Sequence, residues 1–219
     1  MDDGHADARR HLVASLERSA AETGVRTGVA RFSEQVLAAV AAVPRHAFVP
    51  SALEDLAWED SALPIGHGQT ISQPFVVALM TELLALEPHH RVLEIGTGCG
   101  YQAAILAHLA AEVWSVEFVE ALAAAAGERL ARLGCANVHV RQGDGRAGWP
   151  EAAPFDSIIV TAAAGSLPQA IAEQLRPGGR IIAPIGRAPW AQELILFRKD
   201  QAGEMHQSAV LPVVFVPLV

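Results

Sequence analysis

The residues of this chain that could do chemistry gather at the ends of short apolar runs. The run Arg91-Val-Leu-Glu-Ile95 carries Glu94 and leads into glycines at alternate positions, Gly96, Gly98 and Gly100; helix-compatible sequence follows from Gln102. Glycine admits positive φ and bares main-chain atoms that a Cβ would screen. A strand, a tight turn and a helix in that order form the place where open α/β sheets receive nucleotide-like ligands. A second run, Val113-Trp-Ser-Val-Glu117, ends in an acid about 20 positions beyond Gly96, where a carboxylate can accept both hydroxyls of a ribose. A third is followed by Arg141-Gln-Gly-Asp-Gly145, where Gly143 and Asp144 could face a base. Plainer readings exist for each: Glu117 as an acid ahead of a helix N-terminus, Asp144-Gly145 as an ordinary turn pair. Three such elements after three successive strands nonetheless make one constellation.

The spacing selects among ligands. A dinucleotide fingerprint needs G-x-G-x-x-G, and Tyr101 occupies the place of its third glycine. No G-x-x-x-x-G-K-[ST] occurs, so a P-loop is excluded. The E-x-G-x-G-x-G form resembles motif I of class I S-adenosylmethionine methyltransferases.

The elements that must position these residues follow from periodicity. Helical patterning covers Ala8 to Ala21 and Phe32 to Val43, and Pro44 ends the second segment. Ser51 to Leu63 reads as a short helix and a turn, and Pro64 to Pro74 as a Gly/Pro-rich loop. An apolar helix from Phe75 to Leu86 follows, with Pro74 at its first turn. Strands are expected at Arg91–Ile95, Val113–Glu117, Val138–Arg141, Ser157–Thr161 and Arg180–Pro184. The helices between them span Gln102–Ala110, Glu120–Leu133 and Leu167–Leu175, the last stopped by Pro177-Gly178-Gly179. Apolar strands alternating with helices predict an α/β fold, a doubly wound, mostly parallel, Rossmann-like sheet covered on both faces. Leu194–Phe197 and Ala209–Pro217 should add an antiparallel hairpin at its edge. The chain divides into an N-terminal helical addition with the active-site loop, residues 1–88, and a core with edge strands, residues 89–219, packed as one compact unit. The first seven or so residues should fray.

Composition narrows the function. Hydrophobic residues make up 51% of the 219, enough for a sizeable core, and the net charge of −8 argues against a nucleic-acid surface, which needs clustered Lys and Arg. No apolar run reaches the length of a membrane span and the start is polar and acidic, so a cytoplasmic protein without membrane contact is expected. Cys99 and Cys135 lack metal-ligand spacing, and Cys99 reads as a small residue tolerated in the glycine turn rather than a reactive thiol.

Several segments together resemble the bacterial type of protein-L-isoaspartate O-methyltransferase. They are VPRHAFVP (Val43–Pro50), ALPIGHGQTISQP (Ala62–Pro74), RVLEIGTGCGYQAAILAHL (Arg91–Leu109), GDGRAGWPEAAPFDSIIVTAA (Gly143–Ala163), LRPGGRIIAPIG (Leu175–Gly186) and FVPLV (Phe215–Val219). They occur in family order, and the GQTISQP loop separates this family from other class I methyltransferases. The resemblance implies transfer of the methyl group of S-adenosylmethionine to the α-carboxylate of L-isoaspartyl residues in damaged proteins and peptides, leaving S-adenosylhomocysteine. It also implies that Gln69, Thr70, Ile71 and Ser72 line the site, with Ser72 in the place of the family's active-site serine. Glu94, Gly96, Gly98, Gly100, Glu117, Phe118, Gly143 and Asp144 would hold the cofactor, and Val77 would approach it. Val214 stands where bacterial members often carry Arg. The segment up to about Arg31 and the stretch Ala163–Pro168 follow the family pattern less closely.

The chemistry needs little acid–base work, because a carboxylate is already ionised at neutral pH and the leaving thioether takes no proton. Alignment and exclusion of water carry such a step; near-attack positioning is worth roughly 7–11 kcal/mol. Ser72 is therefore a hydrogen-bond donor to the substrate carboxylate and no nucleophile, since no G-x-S-x-G surrounds it. It could also cap the helix opening at Pro74. His67 reads as a solvated loop histidine. Two alternatives keep the fold: methylation of an aspartate in a dedicated peptide, and cofactor binding without turnover. A small-molecule methyltransferase is disfavoured by the GQTISQP loop. A monomer is expected.

Overall fold

The structure, a computed structural model, describes residues 4–188 and 191–219. Helix α1 (Ala6–Thr27) begins earlier and runs further than its periodicity suggests. It passes through Gly24, where a side chain would strike Ala30, and ends where Gly28 takes φ 73° and donates to the Gly24 carbonyl. A glycine inside the pattern reads as a stop; here it is a packing requirement. Helix α2 (Glu34–Ala42) starts on Ser33, whose hydroxyl accepts from the Val36 amide. The stretch expected as a loop contains an antiparallel hairpin, β1 (Leu63–Gly66) and β2 (Gln69–Ile71). His67 and Gly68 form its turn with φ of 53° and 70°. Positive φ at both central residues matches the twist of flanking strands, and His-Gly is a weaker signal for it than Asn-Gly. Helix α3 (Pro74–Leu84) follows, and its Glu82 carboxylate accepts from the Ser33 amide and hydroxyl at 2.9 and 2.8 Å, tying α3 to the start of α2.

The remaining elements are β3 (Arg91–Ile95), α4 (Tyr101–Ala107), β4 (Glu112–Glu117), α5 (Glu120–Arg132), β5 (Val138–Gln142), β6 (Phe155–Val160), α6 (Gln169–Glu173), β7 (Leu175–Ile185), β8 (Gln192–Lys199) and β9 (Met205–Val213). Strands β3 to β9 form one seven-stranded sheet in the order 5-4-3-6-7-8-9. The first five of that order are mutually parallel, and β8 and β9 join antiparallel. The order reverses between β3 and β6, which opens a crevice beyond their carboxyl ends.

Side-chain alternation sorts the core. Val92, Val113, Ile159 and Ile182 point to the face that α1 to α5 cover, while Leu93, Trp114, Ile158 and Ile181 point to the face that α6 covers. The described helices are too short or too polar to cross a membrane.

Three expectations are corrected. Helix α6 spans five residues, because Pro168 stands at its N-cap and Leu175 already belongs to β7. Pro177-Gly178-Gly179 does not end an element before a strand; it lies inside β7, where an irregular register against β6 absorbs it. The last strand closes at Val213, not Pro217, and the chain then turns back over the sheet: Ala163 donates to the Val216 carbonyl and Leu218 to the Ala163 carbonyl, both at 2.8 Å.

Candidate active site

The glycine turn sits at the switch point of the sheet and is held from both neighbouring strands. From β4, the Val116 carbonyl accepts the Gly96 amide at 2.8 Å. From the end of β6, the Thr161 hydroxyl donates to the Gly96 carbonyl at 2.6 Å. Gly96 has φ 96°, and a Cβ there would collide with the Thr161 hydroxyl. The turn is also braced from behind by the Val43–Pro50 segment. Buried Arg45 stacks over the Tyr101 ring at 4.7 Å, Phe48 packs edge-on against that ring, and Arg129 donates to the Cys99 carbonyl at 2.8 Å.

Glu117 closes β4 and reaches back to the turn. Its Oε2 accepts the Gly98 amide at 2.7 Å and its Oε1 the Val119 amide at 2.9 Å. Phe118, next in the chain, is half-exposed and lines the same cleft. Gln69, Thr70, Ile71 and Ser72 of the hairpin strand and its exit line it too, as does Val77 of α3.

Ser72 does not cap α3. The N-cap position is Gln73, whose side chain makes no capping bond, and Asp60 takes the role from a distance in sequence: its Oδ1 accepts the Phe75 amide at 2.7 Å and its Oδ2 accepts from Gln73 Nε2 at 3.0 Å. The Ser72 hydroxyl is thereby left to the cleft. His67, at the hairpin tip, is exposed and away from it.

Four of the residues expected at the cofactor do not reach the cleft wall. Glu94 is fully buried, one strand position behind the turn, paired in register with Ser115. The Ser115 hydroxyl bonds its Oε2 and lies 2.6 Å from the Thr97 hydroxyl, while Oε1 has no partner among the described residues. Burial pushes this carboxyl up to about 8, so it holds its proton at neutral pH. Gly100 (φ 91°) opens α4 and makes room for Leu130 and Ala126 of α5. Gly143 donates to the Glu117 carbonyl at 2.9 Å. Asp144 caps the short turn Gly145–Ala147, and its bonds to Arg146 hold its carboxyl below the usual range. Its neighbour Gly145 is the residue at the cleft; a Cβ there would run into Ile95.

Periodicity and motif spacing missed Thr161, Thr97 and the closing segment Val216–Val219, all of which line the cleft. The only local signal for Thr161 is its place at the end of the fourth expected strand, Ser157–Thr161. FVPLV marks the family, but nothing local places Val216–Val219 at the cleft, because its position depends on the chain folding back beside β6. Cys99 also lines the cleft; burial pushes its thiol to about 11, which leaves it un-ionised and poorly nucleophilic.

A second cavity of about 620 Å³ adjoins the first. It lies between α1, the exit of the hairpin and the edge formed by Leu211 to Val216. Four residues border both cavities: Thr70, Ser72, Thr161 and Val216. Three of the four carry hydroxyls; that of Thr161 is committed to the Gly96 carbonyl, which leaves Thr70 and Ser72 as the donors of a neutral seam.

Fold and site define a class I methyltransferase. The turn has no room for a side chain at Gly96, a carboxylate stands at the next strand end, and a half-exposed aromatic ring follows; these suit S-adenosylmethionine, and hydroxyl donors suit an anionic acceptor. The chain belongs to the protein-L-isoaspartate(D-aspartate) O-methyltransferase family, whose model matches residues 22–219. A protein-L-isoaspartate O-methyltransferase 2 of Syntrophobacter fumaroxidans is 51% identical, over 99% of this chain and 88% of its own. A protein-L-isoaspartate O-methyltransferase 1 of an Anaeromyxobacter species is 54% identical, over 96% of this chain and 97% of its own. A solved protein-L-isoaspartate O-methyltransferase superposes with a TM-score of 0.82 at 31% identity, covering 95% of this chain and 65% of that one. A Plasmodium falciparum protein solved with S-adenosyl-L-homocysteine shares the fold, with a TM-score of 0.75 at 24% identity. The chain is thus an enzyme that methylates isoaspartyl residues with S-adenosylmethionine as donor.

Proposed function

We propose that the first cavity holds S-adenosylmethionine, that the second holds a peptide carrying the isoaspartyl residue, and that methyl transfer occurs at their seam. The observation that carries this reading is the pair of cavities sharing Thr70, Ser72, Thr161 and Val216. Glu117 accepts the ribose hydroxyls, Phe118 covers the base, and the Gly96–Gly98 backbone lies along the amino-acid end. Glu94 supports the turn from behind through Ser115 and Thr97. Gly100, Gly143 and Asp144 shape the strand ends that carry these groups.

Bound there, the cofactor supplies a sulfonium methyl that a carboxylate oxygen takes in one in-line displacement. The residues of the seam orient that oxygen. Ser72 donates a hydrogen bond to the substrate α-carboxylate, which fixes its direction while one lone pair stays free to react. Hydroxyl donors suit this better than a cation, which would hold the carboxylate tightly and lower its nucleophilicity. Val216 and its neighbours cover the seam and exclude water.

In our reading the substrates are exposed, flexible segments of damaged proteins, the resulting methyl ester closes to a succinimide, and hydrolysis partly restores aspartate. We place the protein in the cytoplasm as a monomer without nucleic-acid partners; free Cys99 and Cys135 suit a reducing compartment. The test is label transfer from methyl-labelled cofactor to an isoaspartyl peptide, beside the identical aspartyl peptide. Base-labile label on the isoaspartyl peptide alone, sharply reduced by Ser72→Ala, supports the reading. Equal labelling of both peptides, or a Ser72→Ala enzyme of full activity, would overturn it.

A further inference from the structure

The walls of the second cavity carry very little charge. Polar uncharged residues and the apolar edge Leu211 to Val216 make up most of it, and among the described residues that line it Glu22 alone has an ionisable side chain. Ser19, Glu22 and Thr23 enter from α1 at the i, i+3, i+4 spacing of one helix face, so this face looks onto the cleft. Glu22 is exposed and has no ion-pair partner among the described residues. Val214, on the opposite edge, is 75% exposed and brings no compensating cation.

We propose that Glu22 is a specificity-determining residue that selects isoaspartyl segments with basic neighbours and rejects those with acidic ones. The inference rests on the reading of this cavity as the peptide site. The reacting group is itself an anion, met at the seam by the neutral hydroxyls of Thr70 and Ser72. No cation on the cleft wall offsets a second substrate carboxylate, so that carboxylate meets only the repulsion of Glu22. A Lys or Arg beside the isoaspartyl residue finds in Glu22 the one opposite charge on the wall. Discrimination of this kind uses repulsion of the wrong partner as much as attraction of the right one. Because Glu22 is exposed, the effect is modest and sensitive to salt.

The test uses three series of isoaspartyl peptides of equal length, with Lys, Glu or an uncharged residue scanned through the flanking positions. Steady-state methylation is measured for the parent, Glu22→Gln and Glu22→Lys enzymes, with thermal melts to show that each is folded. The readout is the ratio of kcat/KM for Lys over Glu peptides within one enzyme, so a general change in turnover cancels. In the parent this ratio should be roughly three- to tenfold at low salt at the best position, carried by KM, and should shrink at high salt. It should approach one in Glu22→Gln and invert in Glu22→Lys. A parent ratio near one, or a ratio that Glu22→Lys leaves unchanged, would overturn the proposal. Failure of the parent to methylate the uncharged peptide would instead overturn the peptide-site reading and the inference with it.

Discussion

Gly98 and Glu117 are joined by a hydrogen bond of 2.7 Å from the glycine amide to Oε2. The bond ties the turn after β3 to the end of β4, so the carboxylate we propose for the ribose also fixes the turn itself. A second bond, from the Val119 amide to Oε1, sets the carboxylate's direction.

Glu117→Ala should therefore weaken cofactor binding by at least the worth of one charge-assisted hydrogen bond. Hydrogen bonds to a charged group are worth about 1.5–3 kcal/mol, so the Kd for S-adenosylmethionine should rise roughly 10- to 150-fold. Isothermal titration calorimetry checks this, and an unchanged Kd would remove Glu117 from the site.

Gly96→Ala should be worse tolerated than any other substitution in the turn. The residue needs φ 96°, and the Thr161 hydroxyl already fills the space a Cβ would take. Backbone strain of about 1–3 kcal/mol adds to the collision. Denaturant unfolding should show the loss together with failure to bind cofactor. Thr161→Ala, which removes the hydroxyl but not the strain, should not restore binding to the double variant; recovery there would show that the collision alone matters.

Ser72→Ala separates capping from catalysis. Asp60, not Ser72, caps α3, so the melting temperature and cofactor Kd should hold while kcat falls tenfold or more, in line with about 1.5–3 kcal/mol for a bond to a charged acceptor. Asp60→Ala should show the converse, a stability loss of about 0.5–2 kcal/mol. A Ser72→Ala protein that melts early at unchanged kcat would reverse the assignment.

Glu94 makes stability depend on pH. Its folded carboxyl sits at about 8 against an ordinary 4.5, so the unfolded chain loses this proton first. The protonated group's contribution is complete below pH 4.5 and is lost as pH rises toward 8. Several kcal/mol, on the order of 1.4 per pKa unit, are at stake across that interval. Glu94→Gln keeps the hydrogen-bonding shape without the ionisation, so its advantage over the parent should grow from pH 5 to pH 8 in urea unfolding. Parallel curves for the two proteins would contradict a buried, proton-holding Glu94.

Much of this was legible in the chain because it is encoded locally. Strands β3, β4 and β6 were recognisable because buried strands are apolar over most of their length. The glycine turn was recognisable because only glycine accepts φ near 90° at a strand end. The GQTISQP segment marked the family, though not the hairpin that presents it.

What proved illegible depends on residues far apart in sequence. Glu94 reads as a ligand residue from its motif, yet the pleat turns it behind the turn, where its neighbour is Ser115 on the next strand. Ser72 reads equally well as a cap until Asp60 is seen to hold the helix.

The sequence by itself determined the parallel sheet, the cofactor turn and the reaction class, since alternation, glycine placement and motif spacing are local properties that burial and backbone sterics enforce. Only the tertiary structure decided which side chains share the seam between the two cavities. Thr161 arrives from the end of β6 and Val216 from a chain reversal past β9, while Glu22 reaches the second cavity from a helix at the other end of the chain. Their meeting follows from packing around one sheet, which no local pattern records.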